Sequence, residues 1–437
     1  MQIKPITRIY KKLEEYTPFE VYGFITKVLG ILLESEGPKL KLGDLCKIVG
    51  KEVETLAEVV GFQGEKLMLI ALKEIRGLEV GAKVVPLSVR NCPVGWSFVG
   101  RVVNALGEPL DFREKPDPED YYPLYNDPLK PLERDRIREI LDVGVKAINA
   151  LLTIGVGQRV AIMAGSGVGK STLLGMLARY TKADINVIAL IGERGREVRE
   201  FIERDLGEEG LKRSIVVVST SDESPALRMR AAYYATTIAE FFRDQGKKVL
   251  LLMDSLTRFC MAGREIGLAS GEPPTARGYT PSVFAKLPQL LERVGPKKGG
   301  GAITAIYTVL VEGDDMNDPI ADAVRSIVDG HIVLTRELAQ EGHYPPIDVL
   351  SSVSRVMRDI VPREQVLLAQ EVINLLATYK KAEDLINIGA YVKGSNPEID
   401  KALELIPRIK DFLRQNVEEG YTYEKTLNLL KEIIKTQ

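Results

Sequence analysis

The sequence predicts an α/β protein in which a parallel, helix-covered sheet follows a small all-β region and precedes a helical region. Short apolar runs separated by glycines indicate the all-β region, because short strands joined by tight turns have this pattern. Longer apolar runs that alternate with helical segments indicate the sheet, since strands buried on both faces need no polar positions. Apolar residues at helical spacing indicate the last region.

The all-β region is predicted to be a β-barrel over residues 19–87. Its apolar runs are short, as at residues 24–25 and 67–70. They are separated by Gly30, Gly37, Gly43, Gly50, Gly61, Gly64, Gly77 and Gly81. A proline-rich stretch follows between residues 116 and 131, and its restricted φ angles predict an extended loop that wraps the next domain.

The sheet domain is predicted for residues 88–358. Its strands are predicted from the apolar runs at residues 160–162, 187–191, 215–218, 249–252 and 303–306. Residues 359–437 are predicted to form a helical domain. Within it, Asn396 and Pro397 have the pattern of an N-cap followed by a first-turn proline, which indicates the start of a helix.

The composition is that of a folded, water-soluble protein. The 437 residues include 59 Lys and Arg against 61 Asp and Glu, for a net charge of −2. This balance indicates no bulk attraction to nucleic acid or anionic lipid, so a bound anion needs a local site. Three widely spaced cysteines fit a reducing compartment without disulfides. No apolar segment approaches the roughly 18 residues of a spanning helix, which predicts a cytoplasmic protein.

A glycine-rich segment lies between a predicted strand and a predicted helix, at residues 164–172. The residues predicted to bind the nucleotide are Gly165, Ser166, Gly167, Val168, Gly169, Lys170, Ser171 and Thr172. In such a loop the backbone N–H groups surround phosphate oxygens, the lysine reaches the β- and γ-phosphates, and Ser171 can bind Mg²⁺. Ala164 replaces the usual first glycine, which requires a negative φ there. The segment predicts a P-loop.

Two carboxylates are candidates to complete this site. Asp254 ends the strand predicted from residues 249–252, where an acidic residue anchors the Mg²⁺ shell in P-loop enzymes. Capping the next helix is the structural alternative for it. Glu193 follows the run at residues 187–191, at an edge where open α/β sheets bind ligands, and is predicted to polarise the attacking water. A solvated charged loop is the alternative there.

Longer motifs extend beyond the nucleotide site. They lie at residues 192–198, 254–258, 271–274, 278–284, 312–315 and 345–355. Together they resemble the export ATPases of bacterial flagella and type III secretion systems, relatives of the α and β subunits of rotary ATP synthases. The resemblance covers nearly the whole chain. It implies a RecA-like P-loop NTPase domain with an N-terminal β-barrel and a C-terminal helical domain.

The resemblance also implies an activity and partners. It implies an ATPase that depends on Mg²⁺ and energises protein export, more like the flagellar than the injection type. The implied partners are further copies of the chain in a homohexameric ring, a stator-like negative regulator, a stalk-like central protein, export-gate membrane proteins, and export substrates with their chaperones. No nucleic acid is expected. The implied place is the cytoplasm, peripherally at the export apparatus of the inner membrane.

The resemblance assigns roles to residues of the nucleotide site. It implies that Lys170 and Ser171 hold phosphate and Mg²⁺ and that Asp254 supports the metal. It also implies that Glu193 activates water. Arg194 and Arg258 resemble neighbours of the γ-phosphate.

Two further residues resemble groups that act from outside the loop. Arg355 resembles the arginine finger that a neighbouring subunit donates, and a rigid, always charged guanidinium suits the stabilisation of transition-state charge. An ordinary surface salt bridge is the alternative. Tyr344, flanked by Pro345 and Pro346, resembles the aromatic residue that stacks on adenine, with packing as its alternative.

The N-terminal segment, residues 1–18, is predicted to dock a partner. Apolar residues at helical spacing give it one apolar face, namely Ile6, Ile9, Tyr10 and Leu13. Packing of this face on the chain's own barrel is equally consistent with the pattern. Residues 299–301 and 312–318 are predicted to be solvated loops, although the resemblance places such segments near the central channel of a ring.

Three other functions remain compatible with parts of the pattern. A catalytic subunit of a rotary ATP synthase would share the P-loop, Glu193 and Arg355. A hexameric RNA translocase has the same nucleotide fold, but it needs a basic, aromatic RNA platform, and the sequence gives this little support. A structural subunit that binds but does not hydrolyse nucleotide would typically lack the carboxylate at Glu193.

Overall fold

The computed structural model describes residues 21–87, 91–311, 313 and 315–434. The predicted docking segment, residues 1–18, therefore lies outside the described residues, as do Glu312 and Asp314 of the predicted acidic loop. The chain divides into two compact units, the first of which contains the N-terminal β-region.

The first unit is a closed six-stranded barrel. Its strands are β1 (Gly23–Leu29), β2 (Leu32–Glu36), β3 (Leu45–Val49), β4 (Glu54–Gln63), β5 (Lys66–Ala71) and β6 (Lys83–Pro86). They follow the order β1, β2, β5, β4, β3, β6 around the barrel, and every neighbour is antiparallel. Leu33, Ile48 and Leu69 are fully buried in its interior, as expected for inward-facing barrel residues. The predicted barrel is confirmed.

The second unit is built on a nine-stranded sheet with two short ladders beside it. The strands are β7 (Asn91–Val94), β8 (Arg101–Asn104), β9 (Asp120–Pro123), β10 (Ile140–Leu141), β11 (Ile154–Gly155), β12 (Arg159–Ala164), β13 (Ile185–Glu193), β14 (Ser214–Thr220), β15 (Lys248–Asp254), β16 (Gly295–Pro296), β17 (Ala302–Leu310), β18 (Gly330–Leu334) and β19 (Ile347–Ser354). The sheet order is β19, β18, β12, β17, β15, β13, β14, β8, and β16 pairs with β17. Neighbours from β18 to β8 are parallel, whereas β19 and β16 run antiparallel.

Helices connect these strands and form the end of the chain. They are α1 (Lys146–Leu151), α2 (Lys170–Tyr180), α3 (Gly195–Glu200), α4 (Gly207–Lys212), α5 (Pro225–Asp244), α6 (Leu256–Ala269), α7 (Pro281–Leu291), α8 (Pro319–Ile327), α9 (Arg336–Gln340), α10 (Met357–Ile360), α11 (Arg363–Asn387), α12 (Pro397–Leu413) and α13 (Tyr423–Ile434). A π-helical turn, Phe201–Leu206, joins α3 to α4. Of the helices that the structure describes, none has both the length and the apolar character needed to cross a bilayer.

The apolar runs identify the strands in the middle of the sheet. All five runs lie in strands, namely β12, β13, β14, β15 and β17. The edge strands β8 and β19 were not predicted, because β8 has four residues and β19 alternates buried with partly exposed positions. The proline-rich stretch is not wholly a loop, since β9 within it pairs with β7. The proline of β9, Pro123, is the last residue of that strand, where a missing N–H is tolerated.

The helical end of the chain packs into the core of the sheet. The side chain of Asn396 caps α12 by accepting hydrogen bonds from two backbone N–H groups, and Pro397 is the first residue of that helix, as predicted. Leu368, Leu405 and Leu430, from α11, α12 and α13, are buried in the same core cluster as β12 and α2. The C-terminal helices pack mainly against α1, and α11 also packs against β19.

Candidate active site

The predicted P-loop connects the last residue of β12 to the first turn of α2. Gly167 and Gly169 have φ angles of 76° and 105°, in the range that favours glycine. Ala164 is an ordinary strand residue at the end of β12, so its methyl group is tolerated where a first glycine is usual. Gly169 directly precedes α2, whose free N–H groups and dipole favour an anion. The loop has the geometry of a phosphate site.

Lys170 lies between the two carboxylates that the sequence predicts for this site. Its Nζ is 2.6 Å from Asp254 Oδ1 and 4.0 Å from Glu193 Oε1, and all three side chains are largely buried. The hydroxyl of Thr308, on β17, donates a hydrogen bond of 2.7 Å to Asp254 Oδ1. The Asp254 carboxylate is therefore held by an ammonium and by a hydroxyl.

These residues converge because their strands are neighbours. The strands β12, β17, β15 and β13 are adjacent and parallel, so their carboxyl ends meet at one edge of the sheet. Near the end of β13 the register shifts between Ile191 and Glu193, and Gly192 has a φ of 68°. A Cβ atom on Gly192 would lie 2.9 Å from Arg258 Cβ, so this bulge requires glycine. The bulge fixes the position of Glu193.

Burial and charge set the protonation of the cluster. Burial, together with the negative charge of Asp254, raises the pKa of Glu193 to about 7, although Lys170 opposes the shift. Burial would lower the pKa of Lys170, but Asp254 and Glu193 outweigh it and hold that pKa above its ordinary value. Lys170 is therefore charged at neutral pH, whereas Glu193 can exchange a proton near pH 7.

Tyr344 lies beside the P-loop. A Cβ atom on Gly169 would lie 4.0 Å from Tyr344 Cε1, and Tyr344 is 49% exposed. Its carbonyl oxygen accepts a hydrogen bond of 2.9 Å from the backbone N–H of Gln415, just after α12. A half-exposed aromatic ring next to a phosphate loop is available to stack on a planar base.

The two arginines predicted as neighbours of the γ-phosphate lie in different environments. Arg258, on α6, is half-buried and packs its stem against Gly192, and its positive charge acts on Lys170. The side chain of Arg194 is 82% exposed and lies 3.9 Å from Glu197. The structure thus brings Arg258 to the cluster and leaves Arg194 at the surface.

Arg355 lies at the other end of the strands, where the parallel strands begin. We call this the amino edge of the sheet, and the side where Lys170, Glu193 and Asp254 lie the carboxyl edge. Ser354 pairs with Gly330 at the start of β18, and β18 runs parallel to β12. Arg355 therefore lies level with the start of β12, about five residues or roughly 17 Å from its end. Its N–H donates to the carbonyl oxygen of Asp329, and its exposed guanidinium donates to that of Arg325 over 3.1 Å. An arginine side chain cannot span the distance to the P-loop of its own chain.

Three residues at this site were not predicted from the sequence. They are Thr308, which holds Asp254, Gln415, which holds the backbone of Tyr344, and Arg336, whose guanidinium donates to the carbonyl oxygen of Ser166 over 3.2 Å. Thr308 had a signal, since it is one of two threonines in the mostly apolar strand β17. Gln415 and Arg336 had none, because their contacts depend on tertiary packing.

The part of the acidic loop that the structure describes is held by ion pairs and a helix cap. The guanidinium of Arg277 forms ion pairs with Asp315 and Asp318. Asp318 also caps α8 by accepting hydrogen bonds from the N–H groups of Ile320 and Ala321. These residues are therefore held in place more firmly than the solvated loop that the charge pattern predicts.

The donor set suits a nucleotide that carries Mg²⁺. Ser171 supplies an exposed hydroxyl in the first turn of α2, and Asp254 supplies a carboxylate. Mg²⁺ prefers oxygen ligands and completes its shell with water and phosphate oxygens. Within the described ranges, no group of three or more His, Cys, Asp and Glu side chains could hold a metal ion by itself. Ser171 and Asp254 would supply two oxygen ligands, and the phosphates of a nucleotide would supply more.

Three family models match successive parts of the chain. The β-barrel domain of the ATP synthase alpha/beta family matches residues 25–88, and the nucleotide-binding domain of that family matches residues 144–354. The C-terminal domain of the type III secretion ATPase EscN matches residues 361–432. These matches agree with the order of barrel, sheet and helices in the structure.

Individual relatives match over almost the full chain. A flagellum-specific ATP synthase of Bacillus subtilis (strain 168) is 52% identical over 428 residues, which are 96% of this chain and 97% of the relative. The assembled ATPase EscN of the enteropathogenic E. coli type III secretion system has a TM-score of 0.89 at 46% identity, over 94% of this chain and 99% of that one. Assembled EscN in complex with its central stalk EscO gives a TM-score of 0.87 at 45% identity over the same shares. The resemblance is confirmed, and the chain belongs to the flagellar and type III secretion ATPases of the ATP synthase alpha/beta family.

Proposed function

We propose that this ATPase hydrolyses ATP to ADP and phosphate at the cluster of Lys170, Glu193 and Asp254, and that the reaction energises the export of flagellar or type III secretion proteins. The observation that carries the proposal is the convergence of these three side chains at the end of the P-loop. Membership of the family supports the activity, and the geometry supports the choice of residues.

Lys170 is the group that binds the terminal phosphates. Its ammonium pairs with Asp254 at 2.6 Å. A triphosphate brings more negative charge than one carboxylate, so we expect Lys170 to turn to the β- and γ-phosphates when ATP enters. Asp254 is then free to act with Ser171 in holding Mg²⁺. When bound, this cation neutralises charge on the phosphates.

Glu193 is the group that activates water. A general base works best when its pKa lies near the working pH, and the pKa of Glu193 is about 7. Glu193 is the last residue of β13, whose end adjoins the cluster, so its carboxylate can orient a water for in-line attack and accept its proton. The ADP oxygen leaves on the opposite side of the transferred phosphorus.

Arg355 completes the site of a neighbouring chain. It lies at the amino edge of the sheet and cannot reach its own P-loop, while its guanidinium is exposed. In a closed ring with a repeated head-to-tail contact, the amino edge of one subunit can face the carboxyl edge of the next. We therefore assign Arg355 as an arginine finger that acts in trans within a homohexamer. EscN, which is similar to this chain, is described in an assembled form.

The remaining partners follow from the family. The complex of EscN with its central stalk supports a stalk-like protein as a partner of this chain. A stator-like regulator, the membrane proteins of the export gate, and export substrates with their chaperones belong to the same proposal. We place the working assembly at the cytoplasmic face of the inner membrane, held there by these partners.

Replacing Glu193 with glutamine tests the proposal. Glu193→Gln keeps the shape of the side chain but cannot accept a proton, so turnover is expected to fall by about 10² to 10⁴ while ATP binding remains. The measurements are phosphate release at saturating ATP and the affinity for a fluorescent ATP analogue. In a normally flagellated bacterium from which the gene for its own export ATPase has been deleted, the wild-type chain is expected to restore export and Glu193→Gln is not.

Glu200→Gln is the matched control, because Glu200 is a half-exposed carboxylate at the end of α3 that pairs with Arg196 and not with the cluster. It is expected to keep nearly full turnover. Retention of wild-type turnover by Glu193→Gln would contradict the assignment of the base. Full turnover in vitro without restored export would contradict the assignment to protein export.

A further inference from the structure

A second cleft, of ≈ 570 Å³, lies between α1 and the C-terminal helices, apart from the Lys170 cluster. Its lining includes the cations Lys146, Arg408 and Lys425 and the rings of Phe412 and Tyr421. This volume is within the range of pockets that bind small molecules. None of these residues has a part in the hydrolysis proposed above.

Lys146 is a buried cation in this cleft. The residue is 7% exposed, which is unusual for a lysine. Its Nζ lies 4.8 Å from the ring centre of Tyr421 and 5.6 Å from that of Phe412. Over the residues that the structure describes, the Lys146 ammonium has neither a hydrogen bond nor an ion pair. The side chain is therefore buried against two aromatic rings with no anion in contact.

Two rings compensate an ammonium only in part. Cation–π contacts are weaker than the hydration that a buried ammonium gives up. Burial accordingly lowers the pKa of Lys146, and the nearby Lys425 lowers it further, while Asp411 and Glu419 act in the opposite direction. An anion that entered the cleft would supply the missing compensation, because a charge-assisted hydrogen bond is among the strongest polar contacts in proteins.

A second cation lies against the same ring. Lys425 Nζ is 4.6 Å from the ring centre of Tyr421, so two ammonium groups lie against the ring of one tyrosine. Arg408, on α12, adds a third positive charge, against the carboxylates of Asp411 and Glu432. The lining thus has three cations and two carboxylates. Within the lining the positive charges therefore exceed the negative by one, while Glu419, outside the lining, accepts a hydrogen bond of 3.2 Å from the Tyr421 hydroxyl.

We propose that this cleft binds one small anion through a phosphate or carboxylate group, which contacts the Lys146 ammonium and is flanked by Lys425 and Arg408. The apolar side chains of Leu429 and Ile433 suit an uncharged part of the ligand. Phosphate and carboxylate share the chemistry that these cations recognise, and the experiment below separates them.

The cleft is linked to the nucleotide site through backbone contacts. The N–H of Lys146 donates to Gln415 Oε1 over 2.8 Å, and the N–H of Gln415 donates to the carbonyl oxygen of Tyr344 over 2.9 Å. An anion that orders Lys146 is therefore expected to change the affinity for ATP. This coupling rests on the proposed contact of Tyr344 with adenine, whereas anion binding does not.

Calorimetric titration of the full chain tests the site. The P-loop is first saturated with a non-hydrolysable ATP analogue, which occupies the phosphate positions there. Inorganic phosphate is then titrated, and succinate in a separate series. One site per chain is expected for at least one probe. Lys146→Met, which removes the charge at similar size, is expected to weaken that binding by about tenfold or more, and Lys146→Arg is expected to retain most of it.

Lys393→Met is the matched control, since it removes an exposed lysine that does not line the cleft. Loss with phosphate alone identifies a phosphorylated ligand, and loss with succinate alone identifies a carboxylate. Equal affinities in the wild type and Lys146→Met overturn the proposal, as does the failure of both probes to bind. If Lys146→Met does not fold, as judged by its melting curve, Lys425→Met provides the same comparison from the exposed side of the cleft.

Discussion

The two edges of the central sheet carry different parts of the proposed catalytic site. At the carboxyl edge, Lys170 pairs with Asp254 and lies 4.0 Å from Glu193, so opposite charges are matched within one chain. At the amino edge, Arg355 is exposed, and its guanidinium donates to a backbone carbonyl. Among the described residues it has no acidic partner.

This difference separates what one chain can do from what an assembly can do. The N–H groups of the P-loop, the start of α2 and Lys170 give a site that can bind a triphosphate within one chain. An exposed arginine has little effect on the stability of its own chain, but it can stabilise the charge of a transition state in a neighbouring site. The comparison therefore predicts binding by the single chain and hydrolysis by the ring.

Removing the finger is expected to have the largest effect. Arg355→Ala is expected to bind ATP and to assemble normally, but to hydrolyse about 10³ times more slowly or worse, because it lacks the charge that acts in the transition state. Arg358→Ala removes a nearby arginine of α10 as a control and is expected to remain active. Turnover is measured as phosphate release over a range of protein concentrations.

Mixing two inactive variants sharpens the test. Lys170→Ala chains lack a P-loop lysine but carry Arg355, and Arg355→Ala chains have the reverse defect. In a mixed ring, half of the contacts between unlike chains pair an intact P-loop with an intact Arg355. Activity is therefore expected to return on mixing. Full activity of Arg355→Ala as a monomer, or no recovery in mixed rings, would contradict an action in trans.

The sequence predicts the carboxyl edge better than the relation between the edges. The P-loop, Glu193 and Asp254 follow from local patterns, because each lies directly after an apolar run that becomes a central strand. The position of Arg355 does not, since it depends on β19, which is antiparallel at the edge of the sheet and was not predicted. Only the resemblance to a family indicated its role.

Contacts between distant segments also escaped prediction. Gln415 holds Tyr344 and the start of α1 only because the C-terminal helices share the core of the sheet. Burial of Lys146 follows from the same packing. In the amino-acid sequence both residues are ordinary polar positions, and no spacing rule connects segments that are about 270 residues apart, as packing does.

The raised pKa of Glu193 predicts a pH dependence for the carboxyl edge. The base must be ionised to accept a proton, so kcat/KM is expected to rise with pH through about 7 and to level off above it, with a loss of about tenfold per pH unit below. Since Glu197 contributes to the raised pKa, Glu197→Gln is expected to move the midpoint to lower pH and to leave the plateau unchanged. A midpoint near the usual pKa of a glutamate in the wild type would contradict the assignment.

The proposed adenine contact predicts a smaller effect on binding. Tyr344→Ala is expected to raise KM for ATP by about tenfold, because stacking on an aromatic ring contributes about 1–3 kcal/mol per base and this ring is half-exposed. Tyr344→Phe keeps the ring and is expected to behave as the wild type. Equal affinity of Tyr344→Ala for ATP and for a triphosphate without a base would support the contact, whereas an unchanged KM would reject it.

Replacing either of two threonines in β17 allows a direct comparison of the two edges. The effects expected of these replacements are the smallest. The hydroxyl of Thr308 donates to Asp254 at the carboxyl edge, over 2.7 Å. That of Thr304 accepts a hydrogen bond of 2.8 Å from the N–H of Gly157 at the amino edge. Both threonines are buried, and replacement by valine removes each hydroxyl at nearly constant volume.

Thr308→Val is expected to lower kcat by about fivefold, the equivalent of one hydrogen bond of ~1 kcal/mol, because Asp254 loses one of its two contacts but keeps Lys170. Thr304→Val is expected to lower the melting temperature by about as much as Thr308→Val does, because each variant loses one buried hydrogen bond. It is expected to leave kcat unchanged, since its bond lies at the far end of the same strand. Both quantities are measured on both variants. If Thr304→Val lowered kcat as much as Thr308→Val, the carboxyl edge would not act as a separate catalytic unit, and the distinction between the two edges would fail.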